Sequence, residues 1–265
     1  MDHFEYRDGQ LYCEDINLDE LASDIGTPTY VYSSRTFTHH YAAIAEAFAA
    51  VDPLICYSIK SCGNVHIVRL LGERGSGMDV VSGGELHRAL HAGVNPSKIV
   101  YAGVGKTDTE IRQAIDAGIG WFNIESEAEA ENIADIARAM GRTAHGALRI
   151  NPDVDPRTHA KTSTGQKETK FGVDIERAKH FFERFGHDAN LHLDAIHLHI
   201  GSPINTVEPY LSAITKAMAL IDELRAMDIA IQTLDMGGGF GADYETDQAP
   251  AYAEYAEHLV PLLKP

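Results

Sequence analysis

The feature that most constrains the fold is a regular alternation of short apolar runs with longer segments of helical periodicity. Strands that are separated by helices form a parallel sheet covered on both faces, which explains why these runs are apolar throughout. A further run at residues 29–32 precedes a helical pattern at 36–50 and is left out of the sheet. The predicted strands of the sheet are residues 54–59, 77–81, 99–102, 121–124, 147–150, 195–200 and 233–236.

Polar and glycine-rich residues gather directly after the predicted strand ends, as at Lys60, Ser82, Gly201 and Gly237. In a (β/α)₈ TIM barrel the carboxyl ends of all strands meet at one rim, where ligands bind. A doubly wound sheet has the same alternation and is the competing architecture. Signals from many strands favour the barrel, so we predict an α/β barrel over residues 29–265 after an N-terminal segment at 1–28. The runs supply seven strands, and an eighth is expected.

The overall composition limits the classes of partner. The formal net charge is −17 and the sequence pI is near 5.1, and an acidic surface repels nucleic-acid phosphates and anionic lipids. No run approaches the ~18 apolar residues of a membrane helix, and the first residues do not resemble a secretory leader. Three cysteines without regular spacing suit a reducing compartment. We therefore predict a cytoplasmic protein that binds neither nucleic acid nor membrane.

Three charged residues on predicted apolar strands are candidates for chemistry. Lys60 ends the strand at 54–59, where burial would favour the neutral amine that Schiff-base chemistry requires; a lysine that merely reaches solvent is the alternative. Arg149 and Asp79 lie within strands, where an unpaired charge is costly. Each needs a ligand or a partner, and pairing with each other or with neighbours is an equally weighted structural alternative.

A glycine run is the candidate anion site. Gly237, Gly238 and Gly239 follow a strand, which leaves backbone N–H groups free to surround a phosphate. Together with Ala242 the run also meets a loose dinucleotide fingerprint, but no ribose-binding acid follows at a later strand end. As a phosphate site, the run needs a second contributor.

The segment from His197 to Ser202 is the candidate contributor. Strand alternation places His197 and His199 on one face, where an imidazole would cover an aromatic ring and Ser202 would donate to a phosphate. A metal pair is an alternative, but no matched cysteine or acid completes the ligand set. A histidine packed in the core is the other alternative.

Taken together, these motifs resemble the fold-type III pyridoxal-phosphate decarboxylases, most closely the diaminopimelate decarboxylase branch, from about residue 6 to the end of the chain. Residues 57–62, 79–86, 199–202 and 237–240 match general family motifs. Residues 151–154, 161–165 and 170–172 resemble the diaminopimelate branch specifically. The resemblance implies that Lys60 holds pyridoxal 5'-phosphate covalently and that His199 stacks on its ring. The other implied cofactor contacts are Asp79 and Arg149 near the ring, and Ser202, Gly237, Gly238 and Gly239 at the phosphate.

The resemblance also implies a fold and an activity. The fold would be the barrel of the alanine racemase and ornithine decarboxylase type. The reaction would be decarboxylation of meso-2,6-diaminopimelate to L-lysine and CO₂, with Lys60 and His199 as catalytic residues and no metal. The partners would be a small amino-acid substrate and a second copy, forming a homodimer of the full-length enzyme. Alternatives are a decarboxylase of ornithine, arginine or carboxynorspermidine, and a regulatory relative without catalysis.

The sequence departs from the family pattern in several places. Pro203 stands where the family often has glutamine, and Ser61 and Cys62 replace the commoner Ala-Asn. The family's next strand, with its Glu-Pro-Gly-Arg motif, and its C-terminal β domain are not among these residues. The resemblance therefore implies a barrel without its last strand, a segment at 1–28 that leans on the β domain, and weak decarboxylation by this chain alone.

Overall fold

The computed structural model describes residues 3–155, 171–242 and 249–263. The described chain begins with an antiparallel sheet that the sequence analysis did not predict. Asp8 and Gly9 join its first two strands with φ values of 50° and 81°, and two consecutive positive φ values are typical of tight hairpin turns. Its strands are β1 (Phe4–Arg7), β2 (Gln10–Cys13) and β3 (Ile16–Asn17), and helix α1 (Leu18–Ile25) follows.

The main sheet is parallel, and its strands follow one another in chain order. Its strands are β4 (Cys56–Ser58), β5 (Gly77–Val80), β6 (Ile99–Tyr101), β7 (Trp121–Ile124), β8 (Ala144–Asn151), β10 (Leu191–Leu198) and β11 (Thr233–Asp235), while β9 (Val173–Asp174) pairs only with the end of β8. A doubly wound sheet reverses its strand order at a switch point, and this order does not reverse, which argues against that architecture. Each of the seven predicted strands overlaps one strand of this sheet and is confirmed. Among the described residues β4 and β11 do not pair, and no eighth barrel strand is found.

Helices alternate with these strands. They are α2 (Ser34–Ala47), α3 (Val65–Glu73), α4 (Gly83–His91), α5 (Asp108–Ala117), α6 (Glu127–Ala139), α7 (Ile175–Phe185), α8 (Glu208–Arg225) and α9 (Tyr252–Leu263). Three of them begin at a side-chain cap soon after a strand: the hydroxyls of Ser82, Thr107 and Ser126 each accept a bond from the backbone N–H three residues later. Such caps satisfy N–H groups that lack a partner within the helix. They fix where each loop at the carboxyl edge of the sheet ends.

The core lies between the sheet and the helices. Val80, Ile99, Leu148 and Ile196 on the strands are inaccessible to solvent, as are several side chains on the helices facing them. All four side chains lie on the side of the sheet that faces the helices, whereas the opposite, interior side carries the polar residues of the sheet, so only one face is apolar as predicted. The run at residues 29–32 forms no strand, and Tyr30 there is 88% exposed. Within the residues that the structure describes, no helix combines the length and the apolar character needed to cross a bilayer.

Candidate active site

Lys60 lies at the carboxyl end of β4, but not inside the strand. The strand ends at Ser58, and a short 3₁₀ helix, Ile59–Ser61, carries Lys60 outward while Ile59 is buried. The prediction that Lys60 is desolvated is therefore wrong, because the side chain is exposed. It lines an open cavity of about 490 Å³ whose wall also includes Glu85 and Arg88. An exposed amine at this edge of the sheet is accessible to a ligand.

Asp79 lies on β5 beside the end of β4. Ser58 is its register partner, and the Ser58 hydroxyl donates a 2.8 Å hydrogen bond to Oδ2 of Asp79. Burial raises the pKa of Asp79, while this hydrogen bond and the positive charges of Lys60 and Arg149 oppose the rise. Asp79 is therefore within electrostatic range of both cations.

Arg149 on β8 is neutralised by a neighbour. Its Nη1 donates to Oε1 of Glu125 at 3.0 Å, and both side chains are more than nine-tenths buried. The other oxygen of Glu125 accepts from the backbone N–H of Gly172 at 3.2 Å. The guanidinium also lies 4.8 Å from the ring centroid of Phe171, within the range of a cation–π contact. Of the two pairings considered for Arg149, the structure shows the one with a neighbour and not the one with Asp79.

His199 follows the end of β10, which stops at Leu198. Its Nδ1 lies 2.8 Å from the carbonyl oxygen of Gly237. Since a carbonyl only accepts, the imidazole carries its proton on Nδ1. Burial, followed by the charge of Arg149, lowers the pKa of His199, so the ring is neutral near pH 7. The structure thus holds a flat, neutral ring against the start of the glycine run.

The glycine run turns sharply back along the end of β10. Gly237, Gly238 and Gly239 have φ values of 74°, 58° and 86°, a region that L side chains rarely adopt. A Cβ on Gly237 would lie 1.8 Å from the Leu198 carbonyl oxygen, and one on Gly239 would lie 2.2 Å from the Gly201 carbonyl oxygen. The two segments therefore pack backbone against backbone, and only glycine fits at 237 and 239.

One tyrosine and a short backbone pairing hold the carbonyl groups of this loop. The Tyr210 hydroxyl donates to the Gly238 carbonyl at 2.8 Å, and the Ile204 N–H donates to the Gly239 carbonyl at 2.9 Å. Phe240 packs in an aromatic cluster with Tyr210 and other rings. Ser202 is exposed between these contacts. The structure thus brings together His199, Ser202 and the three glycines at the sheet edge that also carries Lys60.

Several polar residues of the site were missed by the sequence analysis. Glu125 directly follows a predicted strand end, and Asp235 is an acid inside a predicted apolar strand, so the rules that selected Lys60 and Asp79 would also have selected them. Tyr210 lies on α8, and nothing in its local sequence indicates its bond to the loop. The motifs predicted at residues 161–165 and at 170 lie outside the described residues.

Comparison with known proteins identifies the family. The model of the family described as pyridoxal-dependent decarboxylase, pyridoxal binding domain, matches residues 34–265. The chain belongs to this family. It is 46% identical over 263 residues to a diaminopimelate decarboxylase of Aquifex aeolicus, covering 99% of this chain and 62% of that protein. It is 41% identical to one of Pseudomonas aeruginosa, covering 96% of this chain and 61% of that protein.

Solved structures agree with the assignment. Diaminopimelate decarboxylase of Helicobacter pylori complexed with L-lysine matches with a TM-score of 0.90 at 38% identity, over 93% of this chain and 63% of that one. The enzyme of M. jannaschii, also complexed with L-lysine, matches with a TM-score of 0.91 at 35% identity, over 99% and 62%. The predicted barrel of the alanine racemase and ornithine decarboxylase type is confirmed. The chain spans about 62% of the length of these relatives.

The site suits the cofactor of the family. Within the part of the chain that the structure describes, the backbone N–H groups of Gly238 and Gly239 donate to no protein acceptor. A Cβ on Gly238 would meet nothing within 4 Å, so the outer side of the loop is open. Free N–H groups on a left-handed loop are a suitable receptor for a phosphate. The exposed amine of Lys60 is suitable for binding an aldehyde. The fixed, neutral ring of His199 is suitable for covering a flat heterocycle.

Proposed function

We propose that this chain is the cofactor-binding barrel of a pyridoxal-phosphate-dependent decarboxylase that converts meso-2,6-diaminopimelate to L-lysine and CO₂. The observation that carries the proposal is the backbone contact between the glycine loop and the His199–Ser202 segment, at the sheet edge that presents Lys60. The names of the relatives support the substrate, and so does the L-lysine in two of the solved structures, since lysine is the product of this reaction.

Each residue of the site has a proposed task. Gly238, Gly239 and Ser202 would bind the phosphate of pyridoxal 5'-phosphate, and the amine of Lys60 would hold the cofactor covalently. His199 would cover one face of the ring. When bound, the cofactor supplies an acceptor for the electron pair that the departing carboxylate leaves behind.

The protein's own contribution is orientation and charge. The hydrogen bond from Nδ1 of His199 to Gly237 fixes the plane of the imidazole, and the lowered pKa of that ring keeps a second positive charge away from Lys60. Asp79, whose pKa burial raises, is the acid on the strand next to Lys60. We propose that Asp79, whose Oδ2 is fixed by the Ser58 hydroxyl, would lie close to the cofactor ring. Arg149, neutralised by Glu125, supports the interior wall.

Cofactor attachment tests the first part of the proposal. The purified chain is titrated with pyridoxal 5'-phosphate, reduced with borohydride and mapped by peptide mass spectrometry. We expect the phosphopyridoxyl group on Lys60, and none on the peptide of Lys60→Ala. Lys179→Ala is the matched control, because Lys179 is a half-exposed surface lysine, and it should label as the wild type does. A label spread evenly over many lysines would refute the assignment of Lys60.

A substrate panel on the full-length protein tests the second part. We expect L-lysine and CO₂ from meso-diaminopimelate, and at least tenfold lower kcat/KM with ornithine, arginine or carboxynorspermidine. Faster turnover of one of those three compounds would mean that it, and not meso-diaminopimelate, is the substrate. Cofactor attachment without turnover of any of them would favour the regulatory relative. The homodimer and the cytoplasmic location remain predictions.

A further inference from the structure

Asp235, which the proposed chemistry leaves without a task, joins the barrel interior to the glycine loop. It is the last residue of β11, and its two oxygens have different partners. Oδ1 accepts a 2.8 Å hydrogen bond from the backbone N–H of Gly237, two residues further along the chain. Oδ2 accepts a 3.2 Å bond from the side-chain amide of Asn123, which lies on β7 on the other side of the interior. One carboxylate therefore connects two separated strands to the start of the loop.

Gly237 is held on both sides of its α carbon. Its N–H is bound by Asp235, and its carbonyl oxygen accepts from Nδ1 of His199 at 2.8 Å. These two bonds restrain the two peptide groups that define φ and ψ of Gly237, whose φ of 74° is left-handed. The position of the His199 ring and the course of the loop are thus set by one shared residue.

The partners of Asp235 are neutral donors. His197 is the nearest cationic candidate, but its Nε2 lies 3.8 Å from Oδ2 of Asp235, beyond hydrogen-bond distance. Burial also lowers the pKa of His197 well below its usual value, so this ring is neutral at pH 7. The carboxylate therefore acts as a hydrogen-bond acceptor for Gly237 and Asn123, and not as the counter-ion of a histidine.

We propose that Asp235 is a positioning residue: by accepting from Gly237 it holds the glycine loop in the conformation that receives the cofactor phosphate and keeps the Nδ1–H form of His199 aligned with the Gly237 carbonyl. This inference rests on the proposed function, since it names what aligns the phosphate loop and the ring-covering histidine. Asp235 itself need not touch the cofactor. Its effect passes through Gly237.

Two substitutions separate the acceptor role from the charge. Asp235→Asn keeps a side-chain oxygen for the N–H of Gly237. The oxygen of Asn123 has no hydrogen-bond partner within the described residues, so a turn of that amide lets it accept from the new amide group at position 235. We expect Asp235→Asn to bind pyridoxal 5'-phosphate within about threefold of the wild type. Asp235→Ala leaves the Gly237 N–H without its acceptor, and we expect about tenfold to a hundredfold weaker binding.

A second acid provides the matched control. Asp194 on β10 accepts from the indole N–H of Trp121, the first residue of β7, at 3.1 Å, and lies 3.2 Å from Nδ1 of His145. These contacts lie toward the amino ends of the strands, away from the loop. Asp194→Ala should lower the midpoint of thermal unfolding and leave the affinity for pyridoxal 5'-phosphate within about twofold of the wild type.

The experiment measures cofactor affinity by absorbance titration, thermal unfolding of each cofactor-free variant, and the tautomer of His199 by ¹⁵N NMR, assigned with His199→Asn. We expect Nδ1–H in the wild type and in Asp235→Asn, and a mixture of tautomers in Asp235→Ala. Equal affinity of Asp235→Ala and the wild type would refute the inference while leaving the proposed function intact. Equal loss in Asp235→Asn and Asp235→Ala would also refute it, because charge and not acceptance would then matter.

Two further outcomes are decisive. If Asp235→Ala does not fold, the wild type and Asp235→Asn still test the proposal. His199 protonated on Nε2 in either of these two proteins would overturn it. If the wild type forms no adduct on Lys60, the proposed function fails, and this inference fails with it. The two failures are therefore distinguished by the wild-type labelling alone.

Discussion

Replacement of Gly237 by alanine tests whether the loop is defined by its close backbone packing. The left-handed conformation, here with a φ of 74°, costs an L-residue about 1–2 kcal/mol. The new Cβ would also lie 1.8 Å from the Leu198 carbonyl oxygen, and relieving such an overlap costs about 1–3 kcal/mol more. Gly238→Ala is the matched control, because its φ is 58° and its Cβ would meet nothing within 4 Å. We therefore expect Gly237→Ala to lose about 2–5 kcal/mol and Gly238→Ala about 1–2 kcal/mol.

Equilibrium unfolding in urea measures this difference. Trp121 is the single tryptophan of the chain, and its fluorescence reports the unfolding of the sheet at the end away from the loop. With a slope of about 3 kcal/mol per molar, a difference of about 1–3 kcal/mol separates the two midpoints by about 0.3–1 M urea. Coincident midpoints for Gly237→Ala and Gly238→Ala would refute the argument that the Leu198 carbonyl excludes a side chain.

Two other predictions concern buried and capping charges. Arg149→Met leaves Glu125 buried without its cation and should lower the free energy of unfolding by about 3–5 kcal/mol. Arg138→Met removes an exposed ion pair and should lower it by less than about 1 kcal/mol. Denaturant titration compares the two variants, and equal losses would contradict the burial argument. Hydrogen bonds, first from the backbone N–H of Thr107, lower the pKa of Glu110 from 4.5 to about 2, so this carboxylate stabilises the fold above pH 4.5 and the effect is lost as the pH falls toward 2. Glu110→Gln should therefore cost about 1 kcal/mol at pH 7 and clearly less at pH 2, and a pH-independent difference between wild type and variant would contradict this.

Much of the fold follows from the sequence because parallel strands buried on both faces leave a strong apolar signal. The strands from β4 to β11 in the main sheet lie where the apolar runs predict them, within a few residues. The polar residues after them share one edge, since parallel strands all end on the same side. The association of His199 and Ser202 with the glycines was predicted by resemblance and chemistry, and the structure adds the backbone contacts that require glycine at 237 and 239.

The rest could not be predicted, for identifiable reasons. Burial of Lys60 was expected from its apolar neighbours, but the strand gives way to a 3₁₀ helix one residue earlier, and apolar content does not show where a strand stops. The N-terminal hairpin has strands of four residues with no apolar run; its one signal is the Asp8–Gly9 pair. The tautomer of His199 depends on Gly237, 38 residues later, and local sequence carries no information about such a contact.

The order of the strands has a consequence for how the polypeptide is made. Each strand from β4 to β11 in the main sheet pairs with its nearest predecessor along the chain, so every new βα unit finds its docking surface already synthesised. Low sequence separation between partners favours rapid folding, and it suits a chain that leaves the ribosome amino end first. The glycine loop after β11 follows the same rule. Its partners on β7 and β10 precede it in the chain, so the loop can close as soon as β11 has been made.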